Sequence, residues 1–136
     1  MLYKGSCKCN QWHVEVLLDK PLCELNPREC DCDFCKANQS RIISDPNMSA
    51  KFVGEGFSIK KNGDQLANFY YCTGCNVLLG VGRSINGQLR GVVNSILLND
   101  AESLGEPIQV QPRLLSADQK LERWNKLWGK LSGLDK

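Results

Sequence analysis

Apolar and polar residues alternate along Trp12-His13-Val14-Glu15-Val16-Leu17, the period of two that a half-buried strand imposes because successive side chains leave opposite faces. Short apolar runs at 51–53, 57–61 and 66–71 predict three more strands, with Asn62-Gly63 as a two-residue turn between the last two. A type I′ turn needs positive φ at both central residues, which Asn and Gly tolerate best. The same dipeptide recurs as Asn86-Gly87 between 77–81 and 89–93 and predicts a second hairpin. Strands this short, spaced by turn residues, predict a mainly β fold of antiparallel sheets.

The period changes after Ser116. Leu121, Trp124, Leu127, Trp128 and Leu131 recur at intervals of three and four, which predicts a C-terminal α-helix over about 116–131 that lays its apolar stripe across the sheets and closes the core. Ser116 and Gln119 have the spacing of a capping box, and Gly133 stands where a C-terminal cap would end the helix.

The chain has 136 residues, 42% of them hydrophobic, which fits one domain spanning 1–136. No apolar run approaches the roughly 18–20 residues that span a bilayer, so no membrane association is expected. The net charge is +2, and the densest basic stretch, 120–130, interleaves with the apolar stripe of the helix. That is the solvated face of a docked helix rather than a nucleic-acid surface, and no nucleic-acid partner is expected. Met1-Leu2-Tyr3-Lys4-Gly5 leads into the first cysteines without an apolar leader, so the expected compartment is cytoplasmic, where thiols stay reduced.

Cysteine usage changes the picture most. Seven of eight cysteines fall in three clusters, Cys7-Lys8-Cys9, Cys30-Asp31-Cys32-Asp33-Phe34-Cys35 and Cys72-Thr73-Gly74-Cys75. Disulfides are the competing reading, but cysteines one or two residues apart close loops too short to remove much chain entropy, and they strain the bridge. Two plus three plus two suits one closed four-thiolate metal site and a second site with three protein ligands and a free position. The pair at 72 and 75 sits between two predicted strands, with Gly74 allowing a tight turn that aims backbone N–H groups at the sulfurs. It needs a second pair, and Cys7 with Cys9 supplies one. Three sulfurs within six residues suit one further zinc, or another thiophilic metal, able to accept an external thiolate. Cys23, between Leu22 and Leu25, reads as a buried small hydrophobe, and His13 as a packed strand residue. Lys36 and Arg41 read either as solvated surface charge or as a grip on a substrate carboxylate.

Gly5-Ser6-Cys7-x-Cys9, Cys30-x-Cys32-x-x-Cys35 and Cys72-x-x-Cys75 together resemble the glutathione-dependent formaldehyde-activating enzyme family, over a core of about 5–98 that includes Val93-Asn94. The resemblance implies a zinc-binding β-tent arrangement with two zincs per chain, the second open to partial occupancy. It implies that Cys7, Cys9, Cys72 and Cys75 hold a structural zinc. Cys30, Cys32 and Cys35 would then hold the second zinc and form the catalytic site. The implied activity is that of a carbon–sulfur lyase acting on a small thiol such as glutathione and its formaldehyde adduct, S-hydroxymethylglutathione. From another class, the alternative is a non-enzymatic zinc module whose surface binds a protein partner.

Overall fold

The computed structural model describes residues 1–30, 41–61, 67–110 and 116–134. Among these, eleven strands form one large mixed sheet that does not close, with a single α-helix near the C terminus. The strands are β1 Leu2–Ser6, β2 Trp12–Leu17, β3 Arg28–Cys30, β4 Ile42–Ile43, β5 Ser49–Gly54, β6 Phe57–Lys61, β7 Asn68–Cys72, β8 Leu78–Ile85, β9 Gln88–Asn94, β10 Ile108–Val110 and β11 Gly129–Ser132. The helix, α1, spans Ala117–Leu127.

The alternation in β2 holds residue by residue. Trp12, Val14 and Val16 are buried, while His13, Glu15 and Leu17 point outward. His13 is therefore a solvent-facing strand residue, not a packed one, because a period-two strand with Trp12 and Val14 inward leaves it no other side. The hairpin between β8 and β9 forms as expected, with Ile85 paired to Gln88 and φ of 52° at Asn86 and 80° at Gly87. The Asn62-Gly63 turn lies outside the described residues.

The C-terminal segment departs from the expected single helix. The capping box is present, with Gln119 N–H donating to Ser116 Oγ at 3.2 Å and Ser116 N–H to Gln119 Oε1 at 2.9 Å. The helix nevertheless ends at Leu127, and Trp128 is already extended. Residues 129–132 then enter the sheet as β11, parallel to β5 (Leu131 opposite Ala50) and antiparallel to β9 (Lys130 opposite Arg90). A stripe with three- and four-residue spacing cannot distinguish a helix from a helix that unwinds into a buried strand. The strand needs glycine at 129, because a Cβ there would lie 2.6 Å from the Met48 carbonyl oxygen.

In consequence the core is closed by β11 and not by α1. Leu131 and Leu134 are buried among Val14, Val16, Phe52, Leu79 and Val93, whereas no residue of α1 is fully buried. β11 also joins the β1-β2-β5 part of the sheet to the part containing β9; beyond it, the isolated bridge from Gly5 to Leu98 links β1 to the segment after β9. α1 covers a smaller cluster on the other face of β8 and β9, where Trp124 and Leu127 pack against Tyr71, Val81, Val92 and Trp128. Trp124 stacks on Trp128 with centroids 4.4 Å apart, and the Arg90 guanidinium donates to the carbonyls of Asn125 and Trp128 at the end of the helix.

Candidate metal centre

Two hairpin tips meet at one corner of the sheet, each carrying a pair of cysteines. The first connects β1 to β2. Cys7 N–H donates to the Trp12 carbonyl (3.1 Å), Asn10 N–H to the Cys7 carbonyl (3.0 Å), and Asn10 takes a left-handed φ of 60°. The second connects β7 to β8 on the same plan. Cys72 N–H donates to the Val77 carbonyl (3.0 Å), Asn76 N–H to the Cys72 carbonyl (2.9 Å), and Asn76 has φ of 59°. Asparagine tolerates this conformation better than most residues, which is why both loops can turn without glycine at that position.

The four sulfurs of Cys7, Cys9, Cys72 and Cys75 all lie within 4.8 Å of one another. Cys7 and Cys9 are 3.6 Å apart, Cys7 and Cys72 3.8 Å, and Cys9 and Cys72 3.5 Å. These separations exceed a disulfide bond of about 2.05 Å, and all four thiols are free. They match the sulfur–sulfur edge of a tetrahedron built on zinc–sulfur bonds of about 2.3 Å, which is about 3.8 Å. The donor set thus fits one tetrahedral thiophilic cation with all four positions supplied by protein.

Backbone donors complete the site. Trp12 N–H reaches Cys7 Sγ and Gly74 N–H reaches Cys72 Sγ, each at 3.3 Å, and such N–H···S contacts favour the thiolate. At Cys9 the Gln11 backbone N–H also favours ionisation, but desolvation and the sulfurs of Cys72, Cys7 and Cys75 outweigh it and push the thiol up to about 12. At Cys75 desolvation opposes ionisation, yet backbone donors at Val77 and Cys9 and the sulfurs of Cys9 and Cys72 bring it down to about 6. Four thiols this close cannot all ionise alone, since each new thiolate repels the last; a divalent cation removes that conflict.

Behind the sulfurs, the carbonyl of Gly56 ties the loops together. It accepts from Trp12 Nε1 (3.0 Å), Thr73 N–H (3.1 Å) and Thr73 Oγ1 (3.0 Å). Gln11 Nε2 donates to the same oxygen at 3.2 Å, to Thr73 Oγ1 at 3.0 Å and to the Glu55 carbonyl. Gln11 therefore bridges both cysteine loops and the β5–β6 turn, a role that no spacing rule flags in the sequence.

Gly74 is needed for space and not for a left-handed turn: its φ is not among the positive ones, but a Cβ would stand 2.8 Å from Cys9 Sγ and 2.5 Å from Gln11 Oε1. Gly74→Ala is expected to weaken metal binding about 10- to 100-fold in a chelator competition titration while leaving the circular dichroism spectrum of the metal-loaded protein unchanged. Equal affinity in the two proteins would show that the sulfur cage relaxes freely.

The other sequence candidates separate from this centre. Cys30 ends β3, and Cys32, Cys35 and Lys36 lie outside the described residues. Arg41 is exposed just before β4. Cys23 is exposed, contrary to its reading as a buried hydrophobe: in the 3₁₀ turn Leu22–Glu24 the inward positions go to Leu22 and, three residues on, Leu25. No helix among the described residues is long and apolar enough to cross a membrane.

No protein-family model matches the chain, and no curated protein matches it. A crystal structure of a Rhodobacter sphaeroides protein is similar. It is 23% identical, with the match covering 79% of this chain and 99% of that one at a TM-score of 0.58. At that identity the likeness shows the fold. The chain has a mainly β fold shared with that protein, and it gathers four cysteines into a cluster able to hold a metal ion.

Proposed function

We propose that the chain is a zinc protein of the thiol–aldehyde type, a carbon–sulfur lyase that makes and breaks the adduct of a small thiol, such as glutathione, with formaldehyde. The supporting observation is how the cysteines divide. Cys7, Cys9, Cys72 and Cys75 alone supply a complete tetrahedral set, so Cys30, Cys32 and Cys35 are not needed there and can hold a second ion with a position free. A zinc bound by those three would supply positive charge to keep a fourth, external thiol in its nucleophilic thiolate form. The thiolate sulfur then attacks the carbonyl carbon of formaldehyde. A carbon–sulfur bond forms, the carbon–oxygen π bond opens, and the proton released by the thiol ends on the new hydroxyl. Because formaldehyde is already electrophilic, holding the two reactants together accounts for most of what the protein must do.

Cys32→Ser is expected to lower the rate of exchange between free formaldehyde and S-hydroxymethylglutathione, followed by NMR, by at least about 100-fold. It should retain one zinc per chain and the wild-type melting temperature, because the four-sulfur centre is intact. Wild-type protein carrying two zincs that gives no exchange beyond that of glutathione alone would overturn the reading.

A further inference from the structure

The four ligand sulfurs differ in access. Cys7 and Cys72 are buried and Cys75 packs half-buried against the core, whereas Cys9 is exposed, between the exposed residues Lys8 and Asn10. One edge of the sulfur tetrahedron therefore starts at the protein surface and ends inside it. Cys9 Sγ stands 3.5 Å from Sγ of the fully buried Cys72 on the other hairpin tip. Gly74 permits this approach, because a Cβ there would stand 2.8 Å from Cys9 Sγ. Cys7 Sγ is almost as near to Cys9, at 3.6 Å, but it lies two residues away on the same loop, where a disulfide would close a strained ring. The two tips are also held by groups that bind no metal. Gln11 Nε2 donates to the Gly56 carbonyl and to Thr73 Oγ1, and Trp12 Nε1 donates to the same carbonyl. Cys9 and Cys72 thus remain neighbours when the sulfurs themselves change state.

We propose that Cys9 is an oxidation site for peroxides and that Cys72 captures the oxidised sulfur, which makes the four-sulfur centre a switch between a metal-bound thiolate state and a metal-free disulfide state. The switch does not depend on the lyase reading. The Cys9 thiolate attacks one oxygen of hydrogen peroxide, the oxygen–oxygen bond breaks, and hydroxide leaves with two electrons from sulfur, giving a sulfenic acid. The Cys72 thiolate then attacks the Cys9 sulfur. A sulfur–sulfur bond forms, the sulfur–oxygen bond breaks, and a second hydroxide leaves; both hydroxides take up protons from water. The two sulfurs close from 3.5 Å to a bond of about 2.05 Å. Cys7 and Cys75 alone cannot complete a tetrahedron, so the ion passes to solvent. The disulfide spans the same two loops that the metal spanned, so the fold persists, and a thiol reductant with zinc restores the first state.

The test uses the zinc-loaded full chain carrying Cys32→Ser, so that the zinc read out is that of the four-sulfur centre, with and without Cys9→Ser. Hydrogen peroxide is added and zinc release is followed with a chromogenic chelator. The slope of the release rate against peroxide concentration should fall at least about tenfold on Cys9→Ser, whatever the rate of release without peroxide. In the protein that keeps Cys9, a reagent that traps sulfenic acids should mark Cys9 before Cys7, Cys72 or Cys75. Peptide mass mapping of the oxidised protein should find Cys9 joined to Cys72, and this metal-free form should melt above the reduced, chelator-treated protein. Retention of zinc under peroxide, equal slopes in the two proteins, first trapping at another of the four sulfurs, or a disulfide other than Cys9–Cys72 among them overturns the switch. None of these readouts involves glutathione or formaldehyde, so the switch and the lyase reading stand or fall separately.

Discussion

Cys72→Ser is expected to abolish cooperative folding at 25 °C, or to leave a protein melting at least about 15 °C below wild type, and to remove the metal of the four-sulfur centre. Cys72 is fully buried and its sulfur stands 3.8 Å from Cys7 Sγ and 3.5 Å from Cys9 Sγ, so it lies at the middle of the contact between the two hairpin tips. Binding of a structural zinc is worth about 10–16 kcal/mol in small metal-dependent folds, which equals or exceeds the roughly 5–15 kcal/mol net stability of a domain. Losing a third of the metal's contribution is therefore enough to matter. Serine also leaves a hydroxyl with no metal at a fully buried position, in the same core cluster as Trp12 and Tyr70 with Phe57 packed against it. Cys9→Ser should cost visibly less, because Cys9 is exposed and water can take the vacated position. Metal content with thermal melts of the two variants and of chelator-treated wild type checks this ranking. A Cys72→Ser protein that melts with the wild type would show that packing alone holds the hairpin tips together.

Gly133→Ala carries the second large effect. Gly133 has φ of 92°, and a Cβ on it would stand 1.9 Å from the Phe52 carbonyl oxygen, which belongs to β5 and cannot move without breaking the ladder. The positive φ alone costs about 1–3 kcal/mol in a residue with a side chain, and the collision adds to it. We expect a loss of about 3 kcal/mol or more, measured by urea denaturation, with β11 detaching first in hydrogen exchange. The prediction separates two roles for this glycine. As a cap on an exposed helix end, alanine would cost about 1 kcal/mol and β11 amides would stay protected.

How much of this was legible in the sequence depends on the range of the interaction involved. Trp12–Leu17 and Phe57–Lys61 form the expected strands because a period-two pattern and its turns are local properties, and Asn86-Gly87 closes its hairpin for the same reason. The capping box at Ser116 is local as well. The pairing of Cys7 and Cys9 with Cys72 and Cys75 crosses more than sixty residues, yet it was readable from valence: a thiolate pair cannot close a tetrahedron without another.

Other features had no local signal. Leu131 fits a helical stripe as well as it fits β11, and only the gap between β5 and β9 decides which. Cys23 and His13 were read from their neighbours' character, but exposure is set by which neighbour takes the inward place, and Leu22 and Trp12 took it. Gln11 carries no motif; its bridging role follows from the β5–β6 turn arriving beside it. The sequence by itself thus determined several of the strands, the Asn86-Gly87 turn and the grouping of Cys7 and Cys9 with Cys72 and Cys75, because periodicity, φ preference and coordination number belong to short segments or to counting. Which strand fills the middle of the sheet, which side chains face water and which loops meet were decided by the tertiary structure, since each depends on excluded volume and distance between segments that the chain brings together only on folding.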